Sequence, residues 1–152
     1  MQYRLTPASE SDIAWLDALR RDAYHDLFIA TWGAWDESRH ERHLAESLRR
    51  GNISIIEIDG VRVGMVQLFE DSGCIELAEI QVAPAHQGHG IGTCVLQDIV
   101  RAAHKTDRNV VLAVARKNVR AARLYRRLGF RQVAVSDTHA HMVNLVNGTS
   151  IG

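Results

Sequence analysis

At 152 residues, with 46% hydrophobic and 24% charged, the chain is the size of one domain with a substantial core, and residues 1–152 are expected to form a single domain. Lysine plus arginine and aspartate plus glutamate stand at 18 each, so zero net charge argues against nucleic acid or an anionic membrane as a partner. No window of 18 apolar residues suits a spanning helix, and the start Met1-Gln2-Tyr3-Arg4 lacks a signal-peptide layout; these and the free thiols expected of Cys74 and Cys94 predict a cytoplasmic protein.

Tyr3 to Thr6 reads as a short strand ending at Pro7. Ser9 or Ser11 can cap a helix whose apolar positions, Ile13, Leu16, Leu19, Ala23 and Leu27, recur at helical spacing. A break follows near Thr31-Trp32-Gly33, and Asp36 can cap a second helix over Glu37 to Arg50, ended by Gly51-Asn52. Ile53 to Ile58 and Val61 to Glu70 read as two strands joined by the hairpin turn Asp59-Gly60. Cys74 to Val82 is the next strand. Its apolar residues change phase, from Ile75 and Leu77 to Ile80 and Val82, which predicts a bulge near Ala78-Glu79.

Ile91 to Ala103 carries an amphipathic helical stripe, and Val110 to Ala115 is apolar enough for a central buried strand. Asn118 opens a helix with Ala121, Leu124 and Leu128 inward and Gly129 as its C-cap. Phe130 to Val135 and His139 to Val146 are the last strands, followed by a small, polar tail, Asn147 to Gly152, expected to be mobile.

Between the strand at Val82 and the helix at Ile91 lies Gln87-Gly88-His89-Gly90-Ile91-Gly92. Glycines remove side chains where backbone passes close to something, and a helix N-terminus offers unpaired N–H groups and the positive end of its dipole. Together they suit a phosphate. The spacing narrows the choice. A P-loop needs Lys and then Ser or Thr after its last glycine, but Gly92 is followed by Thr93 and Cys94. A dinucleotide loop needs its third glycine one place later and an acid about 20 residues on, and Val110 to Ala115 carries none. What remains is a loop that gives backbone amides, and no metal, to a pyrophosphate.

Gln87-x-x-Gly90-x-Gly92 after the strand end Ile80, Val82, Pro84 resembles the pyrophosphate loop of the GCN5-related N-acetyltransferase (GNAT) family. A second stretch, Asn118-x-x-Ala121-x-x-Leu124-Tyr125-x-x-x-Gly129-Phe130, resembles that family's other cofactor motif, at the expected separation. The two cover about residues 75–130.

The resemblance implies an α/β fold: a mixed, mostly antiparallel central sheet of about seven strands flanked by about four helices. The cofactor would enter where the fourth and fifth strands splay apart. It also implies acetyl-CoA as acetyl donor, with Gly88, His89, Gly90, Ile91, Gly92 and Thr93, preceded by Gln87, around the pyrophosphate. Pantetheine amides can pair with a strand edge, here Ile80, Gln81 and Val82, with the Val82 N–H at the thioester oxygen. Asn118 would contact the cofactor, cap its helix, or do both. Tyr125, seven residues on, would protonate the leaving thiolate, or serve only in packing. Where some relatives carry a glutamate base the chain has Ala113. Glu79 is the substitute, with Glu76 behind it, unless its carboxylate merely faces solvent or an arginine.

Trp32 and Trp35, with Asp36 and Glu37, are candidates for binding a cationic amine, or for a staple and cap on the second helix. His40 and His43 are one turn apart but have no third ligand nearby, so no metal is expected and a solvated helix face is. The cluster Arg116, Lys117, Arg120, Arg123, Arg126 and Arg127 reads as a solvated face, part of it near the 3′-phosphate end of CoA. The activity implied is direct acetyl transfer from acetyl-CoA to a primary amine of a small molecule, without a covalent enzyme intermediate, by a monomer or homodimer. The alternatives are a protein N-terminal or lysine acetyltransferase and a catalytically silent acyl-CoA-binding module.

Overall fold

A computed structural model describes residues 2–146, so the tail from Asn147 onward lies outside the described residues. Seven strands and four helices follow the order read from the sequence: β1 (Arg4–Pro7), α1 (Ile13–Trp32), α2 (Glu37–Arg50), β2 (Ile53–Ile58), β3 (Val61–Glu70), β4 (Cys74–Val82), α3 (Ile91–Lys105), β5 (Asn109–Ala115), α4 (Val119–Arg127), β6 (Arg131–Val135) and β7 (His139–Asn144). The strands form one sheet in the order β1-β2-β3-β4-β5-β7-β6. The pairs β1–β2, β2–β3, β5–β7 and β6–β7 are antiparallel, and β4–β5 is parallel. This is the expected mixed, mostly antiparallel sheet with four helices.

The caps explain the boundaries. The Asp36 side chain accepts the Arg39 N–H at 3.0 Å and starts α2, while Gly33, at φ 82°, ends α1 by donating to Ile29 O. Asp59 and Gly60 both have positive φ, as a two-residue turn between right-twisted strands requires. Asn118 accepts the Ala121 N–H at 3.2 Å and caps α4. The helix runs to Arg127 with Leu128 as its cap, and the left-handed residue is the next one, Gly129 at φ 99°.

The described residues fall into two compact units. One takes the chain up to Gln67 and Glu79–Ile91; the other takes Leu68–Ala78 and the chain from Gly92 on. The first unit's core gathers Leu16 and Leu19 from α1, Ile53 and Ile55 from β2 and Met65 from β3. In the second, Ile75, Leu77, Val95, Leu96, Val110, Leu112, Phe130 and Met142 are buried.

Two expectations need correction, on α1 and β5. Ile13 is exposed, and the buried face of α1 is Leu16, Leu19, Arg20 and Phe28, so it includes an arginine that an apolar stripe does not reveal. In β4 burial alternates as far as Glu79, and Ile80, Gln81 and Val82 are all half-buried. Ile75, Leu77 and Glu79 are all buried, so the inward row continues with a carboxylate as its third member. Only one face of β5 is well covered: Val110, Leu112 and Val114 are buried, whereas Ala113 is exposed.

Candidate active site

The Glu79 carboxylate is the centre of a buried polar cluster in the first unit. It is 8% exposed. Its Oε1 accepts from Arg20 Nη1, and its Oε2 accepts the Tyr24 hydroxyl at 2.7 Å. Gln81 Nε2 donates to Tyr24 Oη at 2.9 Å. Arg20 and Tyr24 are one helical turn apart on α1, and Glu79 and Gln81 are two apart on β4. Each pair therefore shares a face of its own element. The Arg20 guanidinium also lies 5.1 Å from the Tyr24 ring centroid. Burial first, then the Glu79 charge, pushes the Tyr24 phenol far above its ordinary pKa. Of the readings open for Glu79, the carboxylate does face an arginine.

A bare backbone contact holds this stretch of β4 in place. A Cβ added at Gly64 on β3 would stand 2.3 Å from the Gln81 carbonyl oxygen, so only glycine fits there. The next rung is tied by Ala83 N–H donating to Val63 O at 2.8 Å.

The glycine loop follows. Gly88 and Gly90 have φ of 81° and 79°, and a Cβ at either would meet nothing within 4 Å. Among the described residues, none of the N–H groups of Gly88, His89 and Gly90 finds an acceptor. Gln87 donates its side-chain amide to Val82 O at 3.0 Å, pinning the loop to the strand end, and His89 is exposed. Bare amides leading into a helix N-terminus are the kind of donors an anion takes.

The parallel pairs of β4 with β5 run from Cys74↔Asn109 to Leu77↔Leu112, while β4 continues to Val82 and β5 to Ala115. Ile80, Gln81 and Val82, the residues expected along a pantetheine chain, lie beyond those pairs and are half-buried.

In the second unit, the α4 cap uses Asn118 Oδ1 and leaves the side-chain N–H2 to donate elsewhere. Tyr125 is half-buried with its ring edge-on to Phe130, centroids 5.7 Å apart. Asn144 on β7 donates to Leu128 O at 2.9 Å and fixes the end of the helix. Arg116, Lys117, Arg120, Arg123, Arg126 and Arg127 are all exposed, as a solvated face requires.

The α1–α2 connection is an aromatic cluster. Phe28 stacks on Trp35 and meets Trp32 edge-on, each at 4.8 Å between centroids. Trp35 is half-buried and donates Nε1 to Glu37 Oε2 at 2.9 Å. Trp32 is 43% exposed, but the Arg39 guanidinium already sits 4.1 Å from its ring centroid, where a cationic amine was expected.

His40 does not lie on a solvated face. It is 1% exposed, with Nε2 2.7 Å from Asp17 Oδ1, and the ring lies 5.3 Å from Trp35. The bond from His40, then that from Arg21, holds the Asp17 carboxyl below the usual carboxylate range. Among the described residues, no group of three or more His, Cys, Asp or Glu is placed to hold a metal, and no helix is long and apolar enough to cross a membrane. Cys74 and Cys94 are free thiols.

Residues 15–130 match the acetyltransferase (GNAT) family. The chain belongs to that family. A protein of Methanocaldococcus jannaschii, named as an uncharacterized N-acetyltransferase, is 32% identical over an alignment of 100 residues that covers 60% of this chain; the match spans 44% of the length of that relative. Among solved GNAT-like structures, the PaiA N-acetyltransferase of Thermoplasma acidophilum, in complex with coenzyme A, superposes with a TM-score of 0.72 at 17% identity, over 95% of this chain and 99% of that one. The Campylobacter jejuni N-acetyltransferase PseH, in complex with acetyl coenzyme A, gives 0.65 at 15% identity, over 95% and 99%. At these identities the likeness is one of fold.

Arg20, Tyr24 and Gly64 escaped the sequence reading. The available signals were an arginine inside an apolar helical stripe and a lone glycine inside a strand.

Proposed function

We propose that this GNAT chain moves an acetyl group from acetyl-CoA to a primary amine of a small molecule, by direct attack and without a covalent enzyme intermediate. The observation that carries the reading is the loop Gly88–Gly90, with unpartnered amides and open space where side chains would stand. That bare concavity fits a pyrophosphate. The PaiA and PseH structures, which hold coenzyme A and acetyl coenzyme A, support the same donor here. The family match runs through both compact units, which supports reading them as one acetyltransferase domain.

In this reading Gln87, Gly88, His89, Gly90, Ile91, Gly92 and Thr93 surround the pyrophosphate, and Ile80, Gln81 and Val82 pair with the pantetheine amides. The Val82 N–H stabilises the developing oxyanion. Asn118 donates its side-chain N–H2 to the cofactor. Tyr125 protonates the leaving thiolate, and Glu79 is the final acceptor of the amine's proton. The exposed ring of Trp32 supports an acceptor with an apolar part, while Arg39 over Trp32 argues against its positive charge lying there.

Binding of acetyl-CoA to Gly90→Asp tests the loop. A Cβ at Gly90 meets no protein atom within 4 Å, so beyond the backbone strain of its positive φ a carboxylate there opposes the ligand. Like charges brought together cost several kcal/mol, and each ~1.4 kcal/mol is tenfold, so affinity should fall more than about 100-fold. Unchanged affinity by calorimetry, in a variant that melts like the wild type, would overturn the assignment.

A further inference from the structure

We propose that Tyr24 is the group that receives the proton of the acceptor amine and relays it to Glu79. The inference rests on the acetyltransferase reading above and adds a catalytic residue to it.

Glu79 is buried, and both its oxygens are engaged, one by Arg20 and one by the Tyr24 hydroxyl. Tyr24, a half-buried residue, stands on it through its hydroxyl. The direction of the chain of bonds is fixed by chemistry. The amide nitrogen of Gln81 can only donate, so it occupies one lone pair of Tyr24 Oη. The phenolic proton then points at Glu79 Oε2 across 2.7 Å. The phenolic oxygen carries two lone pairs, the second a weaker acceptor because it is conjugated with the ring. One lone pair of Oη therefore remains, and it is the place for an ammonium N–H.

The transfer balances without any further reactant. The N–H bond of the ammonium breaks as its proton binds Oη, and the phenolic proton passes to Oε2. The electron pair left on nitrogen attacks the thioester carbonyl. Tyr24 is neutral before and after, and the carboxylate becomes a neutral acid that later releases its proton to water. The charged groups facing the phenol are Arg20 on its own helix and Glu79 on β4. Burial and the Glu79 charge disfavour the phenolate, which suits a group that accepts one proton while giving up another.

Tyr24→Phe keeps the ring and removes the relay atom. The measurement is kcat/KM for an accepted amine across pH, with acetyl-CoA affinity and melting temperature alongside. We expect a fall of about 100-fold below the amine's pKa, recovery as the amine deprotonates unaided, and acetyl-CoA affinity within about twofold. A uniform fall at every pH would mean that Tyr24 only holds the site together, and no fall would remove it from the reaction. Should the variant fail to fold, a proton inventory on the wild type decides. A bowed dependence of kcat/KM on deuterium fraction shows two protons in flight, whereas a straight line contradicts the relay. Failure of the wild type to acetylate any amine in a panel would instead sink the activity itself.

Discussion

Glu79 and Tyr125, two of the proposed proton-handling residues, sit in opposite kinds of surroundings. Tyr125 is half-buried on a nine-residue helix whose cap, ring partner and terminal glycine all lie within seven residues of it: Asn118, Phe130 and Gly129. Glu79 is buried in a network whose partners are 59 and 55 residues away, Arg20 and Tyr24. Local surroundings travel with the motif and make it recognisable. Distant ones exist only after the chain has folded. The contrast also separates function from stability: a phenol on a surface helix can be lost cheaply, and half of a buried ion pair cannot.

The largest expected effect is on turnover. Tyr125→Phe should lower kcat by about 100- to 10,000-fold, the range for a lost general acid, with little change in acetyl-CoA affinity. Its melting temperature should stay within a few degrees. Full kcat with an accepted amine would return Tyr125 to a packing role.

Arg20→Met should show the opposite balance. It strands the Glu79 carboxylate, and breaking a buried pair from one side costs about 3–5 kcal/mol. Chemical denaturation should report a loss of that size. A loss under ~1 kcal/mol would show that the pair is far more solvated than its burial indicates.

Gly64→Ala comes next. Its Cβ would collide with the Gln81 carbonyl oxygen, so backbone must shift, at a cost of about 1–3 kcal/mol. The shift falls on the residue that donates to Tyr24, so kcat should drop along with stability. A stable variant of normal activity would mean that β3 and β4 can part locally without disturbing the site.

The smallest effect belongs to Asp17, a partly exposed carboxylate on the same helix as Arg20. The Asp17 carboxyl is held below its unfolded value, first by His40 and then by Arg21. A depressed carboxylate stabilises the fold above its unfolded pKa of about 4, and the contribution fades as pH falls through the folded value. Asp17→Asn should therefore cost less than ~1 kcal/mol at pH 7 and approach the wild type in acid. A gap that persists undiminished in acid would place the effect in packing rather than charge.

Much of the architecture was legible because its signals are local. The Asp59-Gly60 turn, the Asp36 cap and the Gly33 break set boundaries that the structure repeats. The turn at Gly88 and Gly90 was legible for the same reason, since its positive φ values are a local backbone property. The Glu79 cluster was not. An arginine at an inward helix position and a glutamate on an inward strand row each look like a fault in an apolar pattern, and only their meeting explains both. His40 misled in a similar way: a histidine in a charged helix reads as solvated until Asp17, 23 residues earlier, is seen to bond it.

The central claim is tested most directly by incubating the wild-type protein with acetyl-CoA and a panel of small primary amines while free thiol is measured. The account predicts thiol release that requires both the protein and an amine, with one acetyl group found on that amine. A folded protein that binds acetyl-CoA but releases thiol with no amine above the acceptor-free rate would contradict it.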